Sequence, residues 1–440
     1  MISKRKAEVL VAGAGPVGLF AALQLSRQGL QVQVVDEEWR TTARSYALAL
    51  HPSTLELMDE MGMAEELIAK GRRLERLVFC DSEGPRRRVE FSKLEGRFPF
   101  VLVLPQRALE AALVDRLKAE KVELDWNHRV ERLEVGADSV AATIHRLSKE
   151  GAGYSISSSE WYVDKSLTRD YKFVVGADGH RSVVRRSLGI EFEDFGSPEV
   201  YAVFEFQADQ DDSDEVAVVL DDGFTSVCWP LESGAYRWSF QLRSDQDFID
   251  PRRKSRLAVQ VGGRSYPHLD KERLLQLIEE RAPWFRPAFK EMYWSLAIRF
   301  EHRLASSFGE GRAWLAGDAA HLASPVGVHS MNAGLQEGKQ LASMIHGVLR
   351  HGDPFADMVK GESMRSARPS MEAYAESQRE LWRCLLDIDC VPQAGPSADD
   401  FTRRNATRIP SCIPASGQHL QDLVGQLGLT LPKPAPASSS

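Results

Sequence analysis

The sequence has few cysteines, and none of them stands in a CxxC pair. The five are Cys80, Cys228, Cys384, Cys390 and Cys412. Structural zinc sites and disulfide-rich scaffolds need such pairs or a denser cysteine pattern. The sequence therefore predicts no metal site and no disulfide framework. Cysteine usage of this kind is typical of a reducing compartment, and we expect a cytoplasmic protein.

An excess of positive charge is also lacking. Lys and Arg number 55 against 63 Asp and Glu, which gives a net charge of -8. A protein that binds nucleic acid regardless of sequence needs surplus positive charge to neutralise phosphates. Nucleic acid is therefore not an expected partner.

No long apolar run is free of interruption. The best candidate extends from Val9 to Leu25, but Gly13, Gly15 and Gly18 fall inside it. A transmembrane helix needs about 20 predominantly apolar residues, and a signal peptide ends at a small-residue cleavage site, which this run lacks. The run predicts neither a membrane span nor a signal peptide, but a strand followed by a turn and a helix.

The glycines that interrupt this run have the spacing of a nucleotide-binding turn. Residues 13–18 form a GxGxxG motif between a predicted strand and a predicted helix. Gly13 permits the tight turn, Gly15 lets a pyrophosphate approach the backbone, and Gly18 lets the helix pack closely on the strand. Asp36 ends the second predicted strand, where a carboxylate accepts hydrogen bonds from ribose hydroxyls. The pattern predicts a site for NAD or FAD.

Two further motifs decide between these dinucleotides. Residues 175–185 have the sequence VGADGHRSVVR, and residues 311–321 have the sequence GRAWLAGDAAH. Together with the GxGxxG motif they resemble the three signature motifs of class A flavoprotein monooxygenases, the para-hydroxybenzoate-hydroxylase-like aromatic hydroxylases. Residues 54–63 and 105–110 are similar to further segments of that family, so the resemblance extends over most of the chain. It implies bound FAD.

The hydrophobic pattern and this resemblance predict the same fold class. We expect an α/β protein with a Rossmann-like FAD-binding domain and an inserted antiparallel β-sheet substrate domain, because short β-rich runs alternate with Gly and Asp turns in two internal segments. The predicted division is 1–77, 105–190 and 291–350 for the FAD-binding domain, 78–104 and 191–290 for the β-sheet domain, 351–390 for a helical segment and 391–440 for a loosely ordered tail.

The resemblance also implies roles for individual residues. Asp318 would accept a hydrogen bond from the ribityl chain of FAD, and Asp178 with Gly179 would serve both the pyrophosphate and NAD(P)H. The residues expected to bind cofactor are Gly13, Gly15, Pro16, Gly18, Asp36, Arg44, Gln106, Arg107, Asp178, Gly179, Gly317, Asp318, Pro325, Gly327, Met331 and Asn332. The residues expected at the reacting edge of the flavin are Arg44, Pro325 and His329.

One segment departs from the family pattern. Where the family has a glycine-rich run, residues 327–332 have the sequence GVHSMN and keep only the first glycine. Val328 and Ser330 need a backbone that tolerates Cβ atoms. His329 is either a proton donor or hydrogen-bond partner beside the flavin, or a polar loop residue that fills the space of a missing glycine.

The resemblance implies an FAD-dependent monooxygenase that uses NADPH or NADH and O2. Through a C4a-hydroperoxyflavin it would hydroxylate a small aromatic substrate of phenolic or polyketide-like type. The altered segment keeps open a non-hydroxylating FAD reductase or dehydrogenase of the same fold, and a flavin-binding sensor without turnover is a third hypothesis. No WxWxIP segment occurs among the nine tryptophans, which disfavours a halogenase. Monomer and homodimer are both compatible with the sequence.

We expect Asp318→Ala to strip FAD from the protein, because it removes the carboxylate that the resemblance places on the ribityl hydroxyls. The ratio of flavin absorbance to protein absorbance after purification measures the loss. A variant that keeps stoichiometric flavin would contradict this placement of the motif.

Overall fold

A computed structural model describes residues 6–39, 48–151, 159–209, 213–221, 223–243, 259–261, 264–266, 269–286, 288–351, 371–386, 388 and 391–432. The strands are β1 (Val9–Ala12), β2 (Val32–Asp36), β3 (Ala49–Leu50), β4 (Arg72–Leu74), β5 (Arg76–Asp81), β6 (Gly84–Glu90), β7 (Val101–Val103), β8 (Glu123–Trp126), β9 (His128–Val135), β10 (Val140–Gly151), β11 (Ser159–Tyr171), β12 (Phe173–Gly176), β13 (Phe192–Asp194), β14 (Glu199–Ala208), β15 (Glu215–Asp221), β16 (Phe224–Pro230), β17 (Ala235–Gln241), β18 (Val259–Val261), β19 (Arg264–Tyr266), β20 (Phe289–Phe300), β21 (Arg303–Ala305), β22 (Gly309–Glu310), β23 (Ala313–Leu315), β24 (His321–Leu322), β25 (Gln393–Ala394) and β26 (Leu429–Thr430). The α-helices are α1 (Pro16–Arg27), α2 (Pro52–Glu60), α3 (Ala64–Ile68), α4 (Gln106–Ala119), α5 (Val183–Ser187), α6 (Lys271–Arg281), α7 (His329–His351), α8 (Met371–Leu385), α9 (Asp400–Arg404), α10 (Ile409–Cys412) and α11 (Gly417–Gly425).

A six-stranded sheet forms the centre of the first domain. Its order is β22-β23-β12-β1-β2-β8, and all neighbouring pairs are parallel except β22 with β23. Every residue of β1 is buried and apolar, as expected for a strand covered on both faces. Helix α1 packs against both α7 and α4. The Rossmann-like sheet predicted from the sequence is confirmed.

A seven-stranded sheet forms the second domain, in the order β20-β14-β17-β16-β15-β5-β6. Its pairs are antiparallel except β15 with β5, which are parallel where the two inserted segments meet. The predicted boundary at residue 291 is wrong, because β20 pairs with β14 along its length as far as Phe300. The boundary at residue 104 also needs correction, since β7 pairs with β3 and β4 in a separate sheet.

The two faces of this seven-stranded sheet have different partners, because side chains alternate along a strand. Trp238 and Phe240 lie on the face that packs against α6. Tyr201 and Trp229 lie on the opposite face, in a core that also contains Val328. Tyr201 and Trp229 therefore lie on the side of the altered segment, and both are fully buried.

The prediction of a loosely ordered tail is wrong for residues 391–432. Helices α9, α10 and α11 fold there, and their apolar side chains join the core that contains Trp229. The Gln426 side chain also forms hydrogen bonds of 2.9 Å to both the backbone N–H and the carbonyl of Glu90, in β6. Abundant Pro, Ser and Gly suggested disorder, but burial of clustered apolar residues outweighs local composition. We call residues 391–432 the C-terminal segment.

Within the described residues, no helix is long and apolar enough to cross a membrane. Cys80, Cys228 and Cys412 are buried and none of these three forms a disulfide, and burial raises the pKa of Cys80 to about 12. Cys384 is disulfide-bonded. The sequence predicted no disulfide framework, whereas the structure has a disulfide at Cys384.

We expect Leu423→Ala to lower the free energy of unfolding by about 2–5 kcal/mol, because Leu423 is completely buried in α11. Gln421→Ala is the matched control on the exposed side of the same helix, and its effect should stay within about 0.5 kcal/mol. Denaturant unfolding of the full chain measures both. Equal, small effects would show that the C-terminal segment does not pack on the core.

Candidate active site

The predicted motifs meet at one edge of the six-stranded sheet. Strands β2, β1, β12 and β23 are parallel neighbours, so their carboxyl ends lie side by side. Asp36 ends β2, the GxGxxG turn follows β1, Asp178 follows β12 and Asp318 follows β23. In open α/β sheets, ligands bind in the crevice at this edge. The fold therefore brings together all three motifs that the sequence placed far apart.

Glycines let the loops of the first two motifs approach each other closely. Gly13 has φ +103°, and a Cβ on it would lie 2.1 Å from the carbonyl oxygen of Ala177. A Cβ on Gly18 would lie 2.0 Å from the carbonyl oxygen of Gly13. No side chain fits at such distances, so these two glycines are required by protein packing.

The third motif packs against the same helix start. A Cβ on Gly334, in α7, would lie 2.7 Å from Cγ2 of Val17 and 2.9 Å from Cα of Gly317. Gly317 itself has φ +64°, a conformation that favours glycine. The first motif is therefore in direct contact with both of the others.

Asp36 is tied to the first glycine-rich turn. Its Oδ2 accepts a hydrogen bond of 2.5 Å from the backbone N–H of Ala14, and its Oδ1 accepts one of 2.8 Å from Glu38. Burial raises the pKa of Asp36, and these two hydrogen bonds oppose that effect. Each carboxylate oxygen retains a second lone pair for a ribose hydroxyl.

Asp178 has one oxygen in use and one without a partner. Its Oδ2 accepts hydrogen bonds of 2.7 and 3.1 Å from the backbone N–H groups of Val183 and Val184 at the start of α5. By distance and angle its Oδ1 is buried without a hydrogen-bond partner among the described residues. Burial raises the pKa of the carboxyl, and the neighbouring Ser182 hydroxyl and backbone N–H groups oppose that rise. A buried acceptor of this kind is costly unless a ligand supplies a donor.

The backbone beside Asp178 is open. A Cβ on Gly179 or on Gly15 would meet no protein atom within 4 Å. Gly15 is the residue before the first turn of α1, where helix N–H groups and the helix dipole favour an anion. The space beside these two glycines fits a pyrophosphate in contact with the backbone.

Asp318 is accessible in the crevice although protein surrounds it. Its side chain is exposed, no described residue donates a hydrogen bond to it, and burial by the surrounding protein raises its pKa while His321 and His180 oppose that rise. A carboxylate in such a position suits the hydroxyls of a polyol chain. Together with the unpaired oxygen of Asp178 and the open glycines, it makes this crevice fit FAD.

A buried carboxylate that the sequence analysis missed supports the third motif. Glu337, in α7, is fully buried and accepts hydrogen bonds of 2.8 Å from the Gly317 N–H and 2.9 Å from the Trp382 indole. His321 Nε2 lies 3.0 Å from the same carboxylate, and its ring stacks on Trp382 at 3.7 Å. The available signal was an acid on the inward face of α7, in line with Gly334 and Leu341.

Arg185, the last residue of the second motif, has a structural role that the sequence did not predict. Its guanidinium donates hydrogen bonds of 2.6 Å to the carbonyl of Ala319 and 2.9 Å to that of His180. It lies 3.8 Å over the ring of Phe192, and burial lowers its pKa to about 10. Arg185 therefore joins the second motif to the third.

The structure places the remaining predicted residues as follows. Arg44 lies outside the described residues. Gln106 begins α4 and donates a hydrogen bond of 2.7 Å to Glu110, and Arg107 beside it is exposed. Pro16 is the first residue of α1, and Pro325 is half-buried between β24 and α7.

In the altered segment, Val328 has a backbone conformation that normally favours glycine. Val328 has φ +54°, a conformation that costs a residue with a Cβ about 1–2 kcal/mol and is a clear outlier for a β-branched one. Gly327 is required there, because a Cβ would lie 2.4 Å from both His329 Nε2 and the Ser411 carbonyl oxygen. Helix α7 begins at His329, three residues before the predicted Asn332.

His329, Met331 and Asn332 are all buried. The His329 ring makes an edge contact with His51 at 5.4 Å, and burial lowers its pKa to about 4, against the opposing influence of the Ser411 and Pro410 backbone. The Asn332 amide donates hydrogen bonds of 3.0 Å to Ala49 and 2.8 Å to Val328. The Asn332 side chain therefore binds protein in the first turn of α7, and the His329 ring packs on His51.

Comparison with known proteins places this site in a family. The chain belongs to the family of FAD binding domain proteins, whose model matches residues 6–356. It is 29% identical to 6-methylpretetramide 4-monooxygenase of Streptomyces rimosus over 349 residues, covering 78% of this chain and 56% of that protein. It is 27% identical to pentachlorophenol 4-monooxygenase of Sphingobium chlorophenolicum, covering 80% and 60%. The resemblance to class A flavoprotein monooxygenases is confirmed, and the chain spans less than two thirds of these curated relatives.

The fold is similar to a solved structure over almost the whole chain. The p-nitrophenol 4-monooxygenase of Pseudomonas putida superposes with a TM-score of 0.65 at 20% identity, covering 96% of this chain and 98% of that one. An aklavinone-11 hydroxylase solved with FAD and aklavinone gives a TM-score of 0.60 at 22% identity, covering 87% of this chain and 69% of that one. At these identities the likeness shows the fold, and it confirms the predicted fold class.

Two glycine substitutions separate packing from cofactor binding. We expect Gly18→Ala to destabilise the apoprotein, because its Cβ would collide with the Gly13 carbonyl. Gly15→Ala should leave the apoprotein unchanged, because its Cβ enters open space, and should weaken FAD binding at least tenfold by blocking approach to the backbone. Thermal melts of the apoproteins and FAD titrations measure the two effects. Equal FAD affinity in Gly15→Ala and the unmodified protein would remove the pyrophosphate from this position.

Proposed function

We propose that this protein is an FAD-dependent monooxygenase that hydroxylates an aromatic substrate with NAD(P)H and O2. In the overall reaction, one substrate, one O2, one NAD(P)H and one proton give one hydroxylated product, one NAD(P)+ and one water. The observation that carries the proposal is the crevice where three motifs of the family touch. There a buried acceptor on Asp178 and an accessible carboxylate on Asp318 are left for a ligand rich in hydroxyls.

Bound FAD would supply the redox chemistry and the activation of oxygen, while the protein binds, orients and excludes water. Gly13, Gly15 and Gly18 shape the turn against the pyrophosphate, and Asp36 accepts from the adenosine ribose. Asp178 and Asp318 accept from the remaining hydroxyls or their waters. Glu337 and Arg185 fix the third motif from behind through Gly317 and Ala319.

The packing of the altered segment suggests which residues lie beside the reacting edge of the flavin. Pro325, together with Arg44, is proposed beside the flavin. His329 is proposed as a positioning residue, since its ring is buried against His51 and its pKa is lowered to about 4. The left-handed Val328 favours the hydroxylase over the reductase alternative, because the segment keeps a glycine-type backbone despite its different sequence.

The substrate class is inferred from two kinds of support. The names of the matched relatives include pentachlorophenol and p-nitrophenol, which are phenols. In this chain, the sheet face bearing Tyr201 and Trp229 lies against Val326 and Val328, which gives the segment before α7 an apolar neighbour suited to an aromatic ring. We propose a phenolic or polyketide-like substrate.

A cytoplasmic location and a monomer or homodimer stay predictions. Three buried cysteines without a disulfide agree with a reducing compartment, whereas the disulfide at Cys384 counts against it. Titration of the thiols in lysate from cells quenched with an alkylating agent measures whether that bond is present in cells.

The test of function uses the FAD-loaded full chain with isotopically labelled O2. NADPH and NADH are each supplied with a panel of phenols and polycyclic aromatics. We expect a product that has gained one labelled oxygen atom per NAD(P)H consumed, and no product from Asp318→Ala. NAD(P)H oxidation that yields only hydrogen peroxide or a reduced substrate across the panel would favour the reductase alternative instead.

A further inference from the structure

The turn at Gly327 and Val328 is held by side chains on two successive carbonyl groups. His51 Nε2 lies 2.9 Å from the Gly327 carbonyl oxygen, and the Asn332 amide donates a hydrogen bond of 2.8 Å to that of Val328. Two restrained carbonyls fix the peptide planes on both sides of Val328. This explains how a β-branched residue persists with φ +54°, because strain of this kind survives only where the surroundings over-determine the backbone.

These contacts determine the tautomer of His51. A carbonyl oxygen can only accept, so Nε2 must carry the proton and Nδ1 must be an acceptor. Ser416 Oγ lies 2.9 Å from Nδ1 and is the donor that this tautomer requires. Complete burial, together with the nearby His329 and His419, lowers the pKa of His51 and keeps its ring neutral.

Ser416 belongs to the C-terminal segment, outside residues 6–356 of the family match. It precedes the first residue of α11, a position where serine usually accepts a hydrogen bond from the helix backbone. Here its side chain makes no such cap. Its hydroxyl points instead to an imidazole that lies 365 positions earlier in the chain.

We infer that His51 and Ser416 are positioning residues that hold the Gly327–Val328 turn in its left-handed shape, so that the C-terminal segment helps to set the active-site backbone. The Gly327 carbonyl fixes the His51 tautomer, and Ser416 anchors the other side of the ring through Nδ1. His51 also donates its backbone N–H to Asn332 at 2.9 Å, so the ring and its own backbone restrain the same turn. The role in catalysis rests on the proposed function, whereas the restraint on the turn does not.

Ser416→Ala tests this inference, with Ser416→Thr as the conservative rescue. Ser411→Ala is the matched control on the same segment, because its hydroxyl donates to the Arg408 carbonyl at 3.0 Å within its own turn. Imidazole nitrogen chemical shifts of His51 report the tautomer in the FAD-loaded full chain, and visible circular dichroism of the flavin reports the shape of its site. The share of NAD(P)H that yields hydroxylated product reports coupling.

We expect Ser416→Ala to shift the His51 Nδ1 resonance while Nε2 keeps its proton, because Nδ1 loses its hydrogen-bond donor and the Gly327 carbonyl is unchanged. The flavin dichroism should change and coupling should fall, while Ser416→Thr and Ser411→Ala match the unmodified protein. Unchanged imidazole shifts and unchanged dichroism in Ser416→Ala would overturn the inference. If no variant forms product, including the unmodified protein, the proposed function fails and the first two measurements still decide the positioning role.

Discussion

Contacts too close for any side chain are the constraint on which this site depends. The Gly13 and Ala177 loops, the Gly18 turn, and Gly317 against α7 all touch through backbone or a missing Cβ. Because the loops are locked in this way, the carboxylates that follow separate parallel strands face one crevice. The acids are the residues that a motif search notices, yet their arrangement is imposed by the glycines.

A second set of contacts, centred on Glu337, supports the third motif at this edge of the sheet. Glu337 gathers a backbone N–H, an imidazole and an indole around one buried carboxylate. A buried charge is tolerated only with several good donors, so each partner is needed by the others. One of them, Trp382, lies in α8, beyond the residues that match the family. The FAD-binding unit is therefore completed by a helix outside residues 6–356 of the family match.

The fold class and the meeting of the three motifs could be predicted, because glycine spacing, acid placement and apolar periodicity are local signals. The end of strand β2 at Asp36 was predicted correctly for this reason. His51, Ser416 and Glu337 could not be assigned, because their roles depend on contacts between distant positions, such as the 365 residues that separate His51 from Ser416. Composition also misjudged the C-terminal segment, where tertiary burial decides the structure.

The C-terminal segment has a consequence for how proteins of this type diversify. It packs on the sheet face of Tyr201 and Trp229 and on the turn at Val328, yet it is encoded apart from every cofactor motif. Exchange of this segment can remodel the wall beside the turn while the nucleotide-binding half stays constant. Change in the side chains that pack on this turn is thereby separated, along the chain, from change in the motifs that form the crevice.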